Sequence, residues 1–267
     1  MLETLKMALI SSKQLSMILG VNMIHKTIEA KPNQRVFVVT DVHGHFNELN
    51  NGLRKLNYND QEDLLISLGD LCDRGPESMK TLNMFMCDKT GLKHSLIGNH
   101  EKFIVDKDFD NHLYNGGNWL LNELPEYTDR VALGRLIESK FSYCITLKIG
   151  HKTYGLVHAA VPLEFESWND FVECIEYSKT LRTESVWQRE FVEHSESKYY
   201  NQQFVSSVDF TIHGHTPIME RELIVANRIH IDLGLAYKKY NYGKLCILEL
   251  TNGTEQFNIF DIEDLRE

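Results

Sequence analysis

The sequence is short of positive charge. Its 28 lysines and arginines face 38 aspartates and glutamates, a formal net charge of −10. Such a surface repels nucleic-acid phosphate, so DNA and RNA are not expected as main partners. Cysteine is scarce and odd in number: Cys72, Cys87, Cys144, Cys174 and Cys246, with no C-x-x-C pair. That argues against a disulfide framework and suits a reducing, cytoplasmic compartment. No apolar run approaches the roughly 20 residues that a membrane span needs. The N-terminal segment, interrupted by Lys6 and Lys13, lacks the basic start and apolar block of a secretory signal. There is no internal repeat and no low-complexity tract. What is present is a chain of 267 residues, 42% hydrophobic, enough for one sizeable core.

Residues 1–30 carry a broken apolar stripe (Leu5, Leu9, Leu15, Ile18, Leu19, Met23, Ile28) with a period near 3.6, and read as a helical extension. Ser11 to Asn22 loosely resembles the first helix and turn of a helix-turn-helix. An amphipathic extension packed on the main domain is the favoured reading, because two short helices rarely fold or bind DNA alone. Lys31-Pro32-Asn33 is a breaker, which opens the main domain at 31–267. Val36–Val39 reads as a buried strand, a helix follows near Phe46 to Leu56, and Leu64–Leu68 is a second buried strand. A second helix is expected from Pro76 to Cys87, then a third strand from His94 to Ile97. This β-α-β-α-β order implies parallel strands with helical crossovers, whose ligand sites lie beyond the strands' carboxyl ends. Phe103 to Phe141 reads as mostly helical with a Gly116-Gly117 break. The second half is strand-rich around a charged, helical stretch from Trp168 to Lys198.

Four short strings follow buried strands: Asp41-Val42-His43-Gly44, Gly69-Asp70-Leu71-Cys72-Asp73-Arg74-Gly75, Gly98-Asn99-His100-Glu101 and Gly214-His215-Thr216. Each supplies Asp, Asn or His, the ligands that hard and borderline divalent metals take. Asp41 and His43 stand two apart at a strand end, so both can point one way. Asp70 ends the neighbouring strand and is placed to bridge two metals. Asn99 offers a neutral carbonyl oxygen, and His158 and His215 follow later strands. Each residue alone is equally a satisfied buried polar group or a turn former. The set is not, because buried charge of this density needs a metal. His100 should face the pocket without binding metal, with Asp73 placed to fix its tautomer and raise its basicity as a general acid. Arg74 supplies a planar fork suited to phosphate oxygens.

With these residues the chain resembles the phosphoprotein phosphatase (calcineurin-like metallophosphoesterase) superfamily. It is most similar to the bacteriophage lambda type of serine/threonine protein phosphatase and its bacterial relatives. The pattern G-D-x-H-G, G-D-x-V-D-R-G, G-N-H-E is present with one βα unit between motifs. Further matches are Asp63 to Ser67, Asn115-Gly116-Gly117-Asn118-Trp119, Val157-His158-Ala159, Trp187-Gln188-Arg189-Glu190 and Gly214-His215-Thr216-Pro217. The similarity runs from about Met23 to the C-terminus, so residues 1–22 are expected to be an addition. Three positions depart from the pattern: Thr40 replaces a glycine, Cys72 a valine and His213 an aromatic residue. His213 is a minor alternative to His215 as ligand, and His45 is read as a pocket-rim residue.

The resemblance implies an α/β fold of two mixed β-sheets packed as a central sandwich flanked by helices. It implies a first metal on Asp41, His43 and Asp70, and a second on Asp70, Asn99, His158 and His215. His100 with Asp73 forms the acid pair, and Arg74 with Arg189 clamps phosphate. The implied cofactors are two divalent ions, manganese by expectation, with iron or zinc compatible. The implied reaction is hydrolysis of phosphoserine and phosphothreonine in phosphoproteins or phosphopeptides, with phosphotyrosine also considered. It proceeds by direct attack of a hydroxide held by the two metals, without a phosphoenzyme. Three rivals stand beside this reading. One is a symmetrical dinucleoside polyphosphate hydrolase of the same fold, whose members usually have Ala where this chain has Asp73. Another is a DNA-binding regulator using the N-terminal helices, against which the acidic charge and the intact site residues argue. The third is an inactive binding scaffold, which should have lost ligands, and none is missing here.

Overall fold

A computed structural model describes residues 24–237 and 242–266. Two sheets face each other. The first has strands β2 (Val36–Val39), β3 (Leu64–Ser67), β4 (Lys93–Ser95), β10 (Lys244–Thr251) and β11 (Thr254–Asp261), in the order β11-β10-β2-β3-β4. The second has β1 (His25–Glu29), β5 (Cys144–Ile149), β6 (Lys152–Val157), β7 (Phe210–His213), β8 (Leu223–Val225) and β9 (Arg228–His230), in the order β1-β5-β6-β7-β9-β8. The α/β sandwich of two mixed sheets is therefore present, with parallel β2-β3-β4 pairing as its motif-bearing half.

Strand alternation sorts the core into two layers. Val36, Val38, Leu64 and Ile66 join Ile145, Leu147, Leu156 and Leu248 in one buried cluster between the sheets. Phe37, Val39 and Leu65 belong to another, with Leu49 and Leu53 of α1 (Phe46–Lys55) and Leu82 of α2 (Ser78–Met86). Strands buried on both faces read as unbroken apolar runs, which is why they were visible without an alternating pattern. The chain continues through α3 (Asn99–Asp106), α4 (Phe109–Tyr114), α5 (Asn118–Glu123) and α6 (Tyr127–Lys140), then α7 (Trp168–Ile175), α8 (Lys179–Trp187) and α9 (Glu190–Glu193). Trp168 lies so close to β6 that a Cβ at Gly155 would stand 2.6 Å from its ring. Glycine there lets the helix seat, and the indole donates to Thr146 Oγ1 at 2.8 Å.

The expected helical extension needs correction at its end. His25–Glu29 is a strand, parallel to β5, with His25 opposite Cys144 and Ile28 opposite Leu147. Ile24, Ile28 and Ala30 are all buried and share one strand parity. A spacing of four fits both a helix and a strand, so the pattern misled. Lys31-Pro32-Asn33 is the turn that carries the chain from one sheet to the other, with Asn33 in the left-handed region at φ 62°. The main domain thus includes residues before 31. The helix expected over residues 1–23, with its helix-turn-helix resemblance, lies outside the described residues.

The outward faces of β7 and β9 bury an unusual cluster. His213 sits opposite His230, their rings stacked 4.9 Å apart. Arg228, only 1% exposed, donates to the Val161 carbonyl at 2.9 Å and lies 3.8 Å over the Phe191 ring. Burial, helped by the Arg228 charge, lowers His230 from 6.5 to about 3. An unfolded chain takes up this proton near pH 6.5, whereas the folded one resists it until about 3. Stability is therefore expected to fall as pH drops through that window, by up to ~1.4 kcal/mol per pH unit for each such histidine. Urea unfolding of His230→Leu between pH 7 and 4 should show a shallower decline than the parent. Parallel declines would contradict the assignment.

Candidate metal centre

The ligand-bearing loops leave the ends of β2, β3 and β7 and meet in one place. They do so in strained backbone. Asp41 (φ 48°), His43 (46°), Asp70 (53°), Asp73 (74°), Arg74 (66°) and His215 (70°) are all left-handed without being glycine. Each costs on the order of 1–2 kcal/mol. The loops hold one another in this state: His43 N–H donates to the Asp70 carbonyl at 2.9 Å, and Gly75 N–H to the His43 carbonyl at 2.9 Å. Glu101, fully buried, accepts from the N–H groups of Gly98 (2.9 Å), Asp70 (2.8 Å), Leu71 (2.8 Å) and Cys72 (3.3 Å). One carboxylate thereby caps α3 and ties down the second motif's loop.

The three candidate ligand imidazoles share one arrangement. His43 Nδ1 donates to the Cys72 carbonyl and His158 Nδ1 to the Leu68 carbonyl, both at 2.8 Å, while the His215 ring bonds the Trp187 backbone. Each bond fixes the tautomer and leaves a lone pair on Nε2. Burial lowers all three well below or below the usual histidine value, so they are neutral. His215 Nε2 is buried without a hydrogen-bond partner. His158 Nε2 stands 3.1 Å from Asn99 Oδ1 and 3.6 Å from Asp70 Oδ1. His43 Nε2 stands 3.7 Å from Asp70 Oδ2 and 3.9 Å from Asp41 Oδ1.

Acceptors facing acceptors need a cation between them. Among the described residues, two of the buried groups whose ligand atoms lie within 4.8 Å of one another meet here: His43, Asp70 and His100, and Asp70, His158 and His215. Asp70 is common to both, and burial beside Asp41 and Glu101 pushes its carboxyl up. The first group contains His100 where the sequence expectation has Asp41. Asp41 turns one oxygen to His43, and its Oδ2 accepts from the Thr40 hydroxyl and from His215 N–H (2.9 Å). Thr40, noted as a departure from the family pattern, thus orients Asp41. Two further departures also resolve. Cys72 is buried in the core cluster, and His213 bonds Thr211 Oγ1 (2.7 Å) and lies outside both groups. His45 is buried, 3.6 Å from Glu48.

The remaining expected residues converge on the same space. His100 Nδ1 meets Asp73 Oδ2 at 2.6 Å. Burial lowers His100, and Asp73 opposes that shift. Arg74 reaches His43 Nε2 (2.7 Å) and His100 Nε2 (3.0 Å), so a guanidinium covers the lone pairs where positive charge is wanted. Arg189 approaches from the other side, 3.4 Å from the His215 carbonyl and 3.5 Å from Thr216 Oγ1. Sequence reasoning missed Asp232. It is buried, accepts from Gly234 N–H at 2.8 Å, and feels Asp41, Arg74 and Arg189. Its signal was available: a carboxylate between buried Ile231 and Leu233 at a strand end, as at Asp41 and Asp70.

A buried set of carboxylates and lone-pair imidazoles, with one carboxylate shared by two groups, suits metal-assisted hydrolysis. The calcineurin-like phosphoesterase pattern matches residues 34–219. The chain belongs to the calcineurin-like phosphoesterase family. It is 28% identical to serine/threonine-protein phosphatase 1 of Salmonella typhimurium over 80% of this chain and 93% of that one. It is 27% identical to a symmetrical bis(5'-nucleosyl)-tetraphosphatase of a Shewanella species over 61% of this chain and 56% of that one. The fold matches a serine/threonine phosphatase structure from Saccharomyces cerevisiae with a TM-score of 0.70, at 13% identity, over 97% of this chain and 89% of that one. Among the described residues no helix is long and apolar enough to cross a membrane.

Because Glu101 braces four backbone N–H groups, Glu101→Gln should be costly. An amide turns N–H toward N–H at one of its ends. A loss of about 1–3 kcal/mol in urea unfolding is expected. A variant as stable as the parent would show that the loops hold themselves.

Proposed function

We propose that this phosphoesterase is a serine/threonine protein phosphatase, hydrolysing phosphoserine and phosphothreonine monoesters in cytoplasmic phosphoproteins, with phosphotyrosine admitted. The observation that carries this reading is the buried His100–Asp73 pair beside Arg74. A monoester of serine or threonine leaves as a poor, basic alkoxide, so a proton donor matters. The resemblance to the lambda type supports it further, since the dinucleoside polyphosphate hydrolases usually lack the carboxylate of Asp73.

Two divalent cations held by Asp41, His43, Asp70, Asn99, His158 and His215 would polarise the phosphoryl oxygens and lower the pKa of the attacking water. The donor set admits manganese, iron or zinc, and manganese is proposed. Arg74 and Arg189 take the phosphate oxygens, Arg74 swinging off the histidines to do so. As water oxygen bonds to phosphorus, the bond to the seryl oxygen breaks. Once Arg74 has left it, His100 Nε2 takes up a proton from solvent; Asp73 steadies the imidazolium, which passes that proton to the seryl oxygen while the attacking water gives one back to solvent. Free hydroxyl and inorganic phosphate leave.

The similarity to the Shewanella tetraphosphatase keeps the tetraphosphatase reading as the competitor. With manganese supplied, hydrolysis of phosphoserine peptides should exceed that of diadenosine tetraphosphate, and a chelator should abolish both. Faster cleavage of the dinucleotide would overturn the protein-phosphatase reading, and full activity after metal stripping would overturn the metal centre. His100→Asn should lower kcat roughly 100- to 10,000-fold while metal content is kept. His215→Asn should instead release metal. The reverse pattern would exchange the two roles.

A further inference from the structure

Asp73 has more partners than a simple acid pair requires. Its Oδ2 meets His100 Nδ1, and its Oδ1 accepts two other N–H groups: His112 Nε2 at 2.8 Å and Trp119 Nε1 at 2.5 Å. Its own N–H donates to Ser78 Oγ at 2.9 Å. Asp73 and His112 are 0% and 1% exposed, so no solvent competes for these bonds. His112 comes from α4 and Trp119 from α5.

The glycines between these helices make the arrangement possible. A Cβ at Gly117 would stand 2.3 Å from His112 Nδ1, and Gly117 N–H caps the His112 carbonyl at 2.9 Å. Gly116, at φ +104°, lies 3.1 Å from Arg74 as a Cβ would be built. The Asn115-Gly116-Gly117-Asn118-Trp119 element is therefore shaped to press one imidazole and one indole against Asp73. Cys72, Asp73 and His112 also have ligand atoms within 4.8 Å. A cation there would have to displace an N–H donor, because His112 and Trp119 already occupy Oδ1 and His100 occupies Oδ2.

We infer that His112 and Trp119 are positioning residues for proton donation: by filling both lone-pair directions of Asp73 Oδ1 they lock the carboxylate plane, so that Oδ2 stays aimed at His100 Nδ1. A carboxylate rotates readily about its Cβ–Cγ bond, and a buried one with a single partner would turn toward any other donor in reach. Arg74 is such a donor, one residue away in sequence and already bonded to His100 Nε2. The brace keeps Asp73 on the imidazole and leaves Arg74 to phosphate. Burial acts to raise the Asp73 carboxyl, but the bonds from His100 and His112 outweigh it and hold it at about 2. The carboxylate is thus permanently ionised, a fixed counter-charge and not a proton acceptor.

This inference rests on the reading of His100 as the acid, and it makes a specific demand. Proton donation matters when the leaving group is basic and hardly at all when it is acidic. Steady-state kinetics of His112→Ala, His112→Gln, Trp119→Phe and His100→Asn, each loaded with manganese, should be compared on phenyl phosphate and 2,4-dinitrophenyl phosphate. For His112→Ala and Trp119→Phe, kcat on phenyl phosphate is expected to fall about 10- to 100-fold. KM and the dinitrophenyl rate should change by no more than about 3-fold, a differential that a general loosening of the fold does not produce. His112→Gln, which keeps an N–H near the same point, should recover most of the loss and keeps the test open if the alanine variant fails to fold. If His100→Asn shows the leaving-group differential but the His112 and Trp119 variants slow both substrates equally, or neither, the positioning role is wrong. If His100→Asn itself shows no differential, the acid reading fails first.

Discussion

Asp41, Asp70 and Glu101 bring three carboxylates into a buried space with almost no exposure to water. Glu101 is fully answered by four backbone N–H groups. Asp70 receives His100 N–H on one oxygen (3.0 Å), and Asp41 shares its Oδ2 between Thr40 and His215 N–H. The imidazoles around them are neutral and turn lone pairs inward. Uncompensated charge of this kind costs several kcal/mol per ion in a low-dielectric interior. A pair of cations held there would remove the cost. In the structure described here Arg74 supplies some of that positive charge by folding onto His43 and His100.

The rest of the architecture follows from holding those groups together. Parallel β2 and β3 end side by side, so their terminal aspartates are neighbours before any loop is considered. The second sheet delivers His158 and His215 from β6 and β7, which are also parallel. Left-handed residues turn each side chain back into the shared space, and interlocking backbone bonds carry the strain. Gly98, Gly69 and Gly214 mark where loops approach too closely for a side chain: a Cβ at Gly98 would stand 2.1 Å from Asp70 Oδ1, and one at Gly214 would stand 1.9 Å from Thr40 Oγ1. The glycines of the motifs therefore serve the aspartates beside them.

Much of this was legible because the catalytic half uses local signals. A buried strand, a ligand at its end and a helix after it all fall within one short window, as at Val39–Asp41 and Ser67–Asp70. The edge strand His25–Glu29 was not, since its partner β5 lies more than a hundred residues away and its Ile24–Ile28 spacing suits either period. His213 drew attention by replacing an aromatic residue of the family pattern and by standing two residues from His215. Its burial against His230 depends on β7–β9 register, which no local pattern encodes. His112 was likewise out of reach, because its meaning lies in what it touches, Asp73, whereas Asp232 stood after a buried strand as Asp41 and Asp70 do and was overlooked. The left-handed φ angles at six polar site residues had no sequence signature beyond the flanking glycines.

Asp70 is the carboxylate common to both candidate ligand groups, and the centre depends on it. Calorimetric titration of the metal-free chain with manganese tests this directly, run beside Asp70→Asn and Asp41→Asn with circular dichroism to confirm folding. The parent should bind about two equivalents, Asp41→Asn about one tightly, and Asp70→Asn neither tightly, as a shared bridging ligand requires. Two tight equivalents in folded Asp70→Asn would contradict the shared site and with it the arrangement of the whole centre.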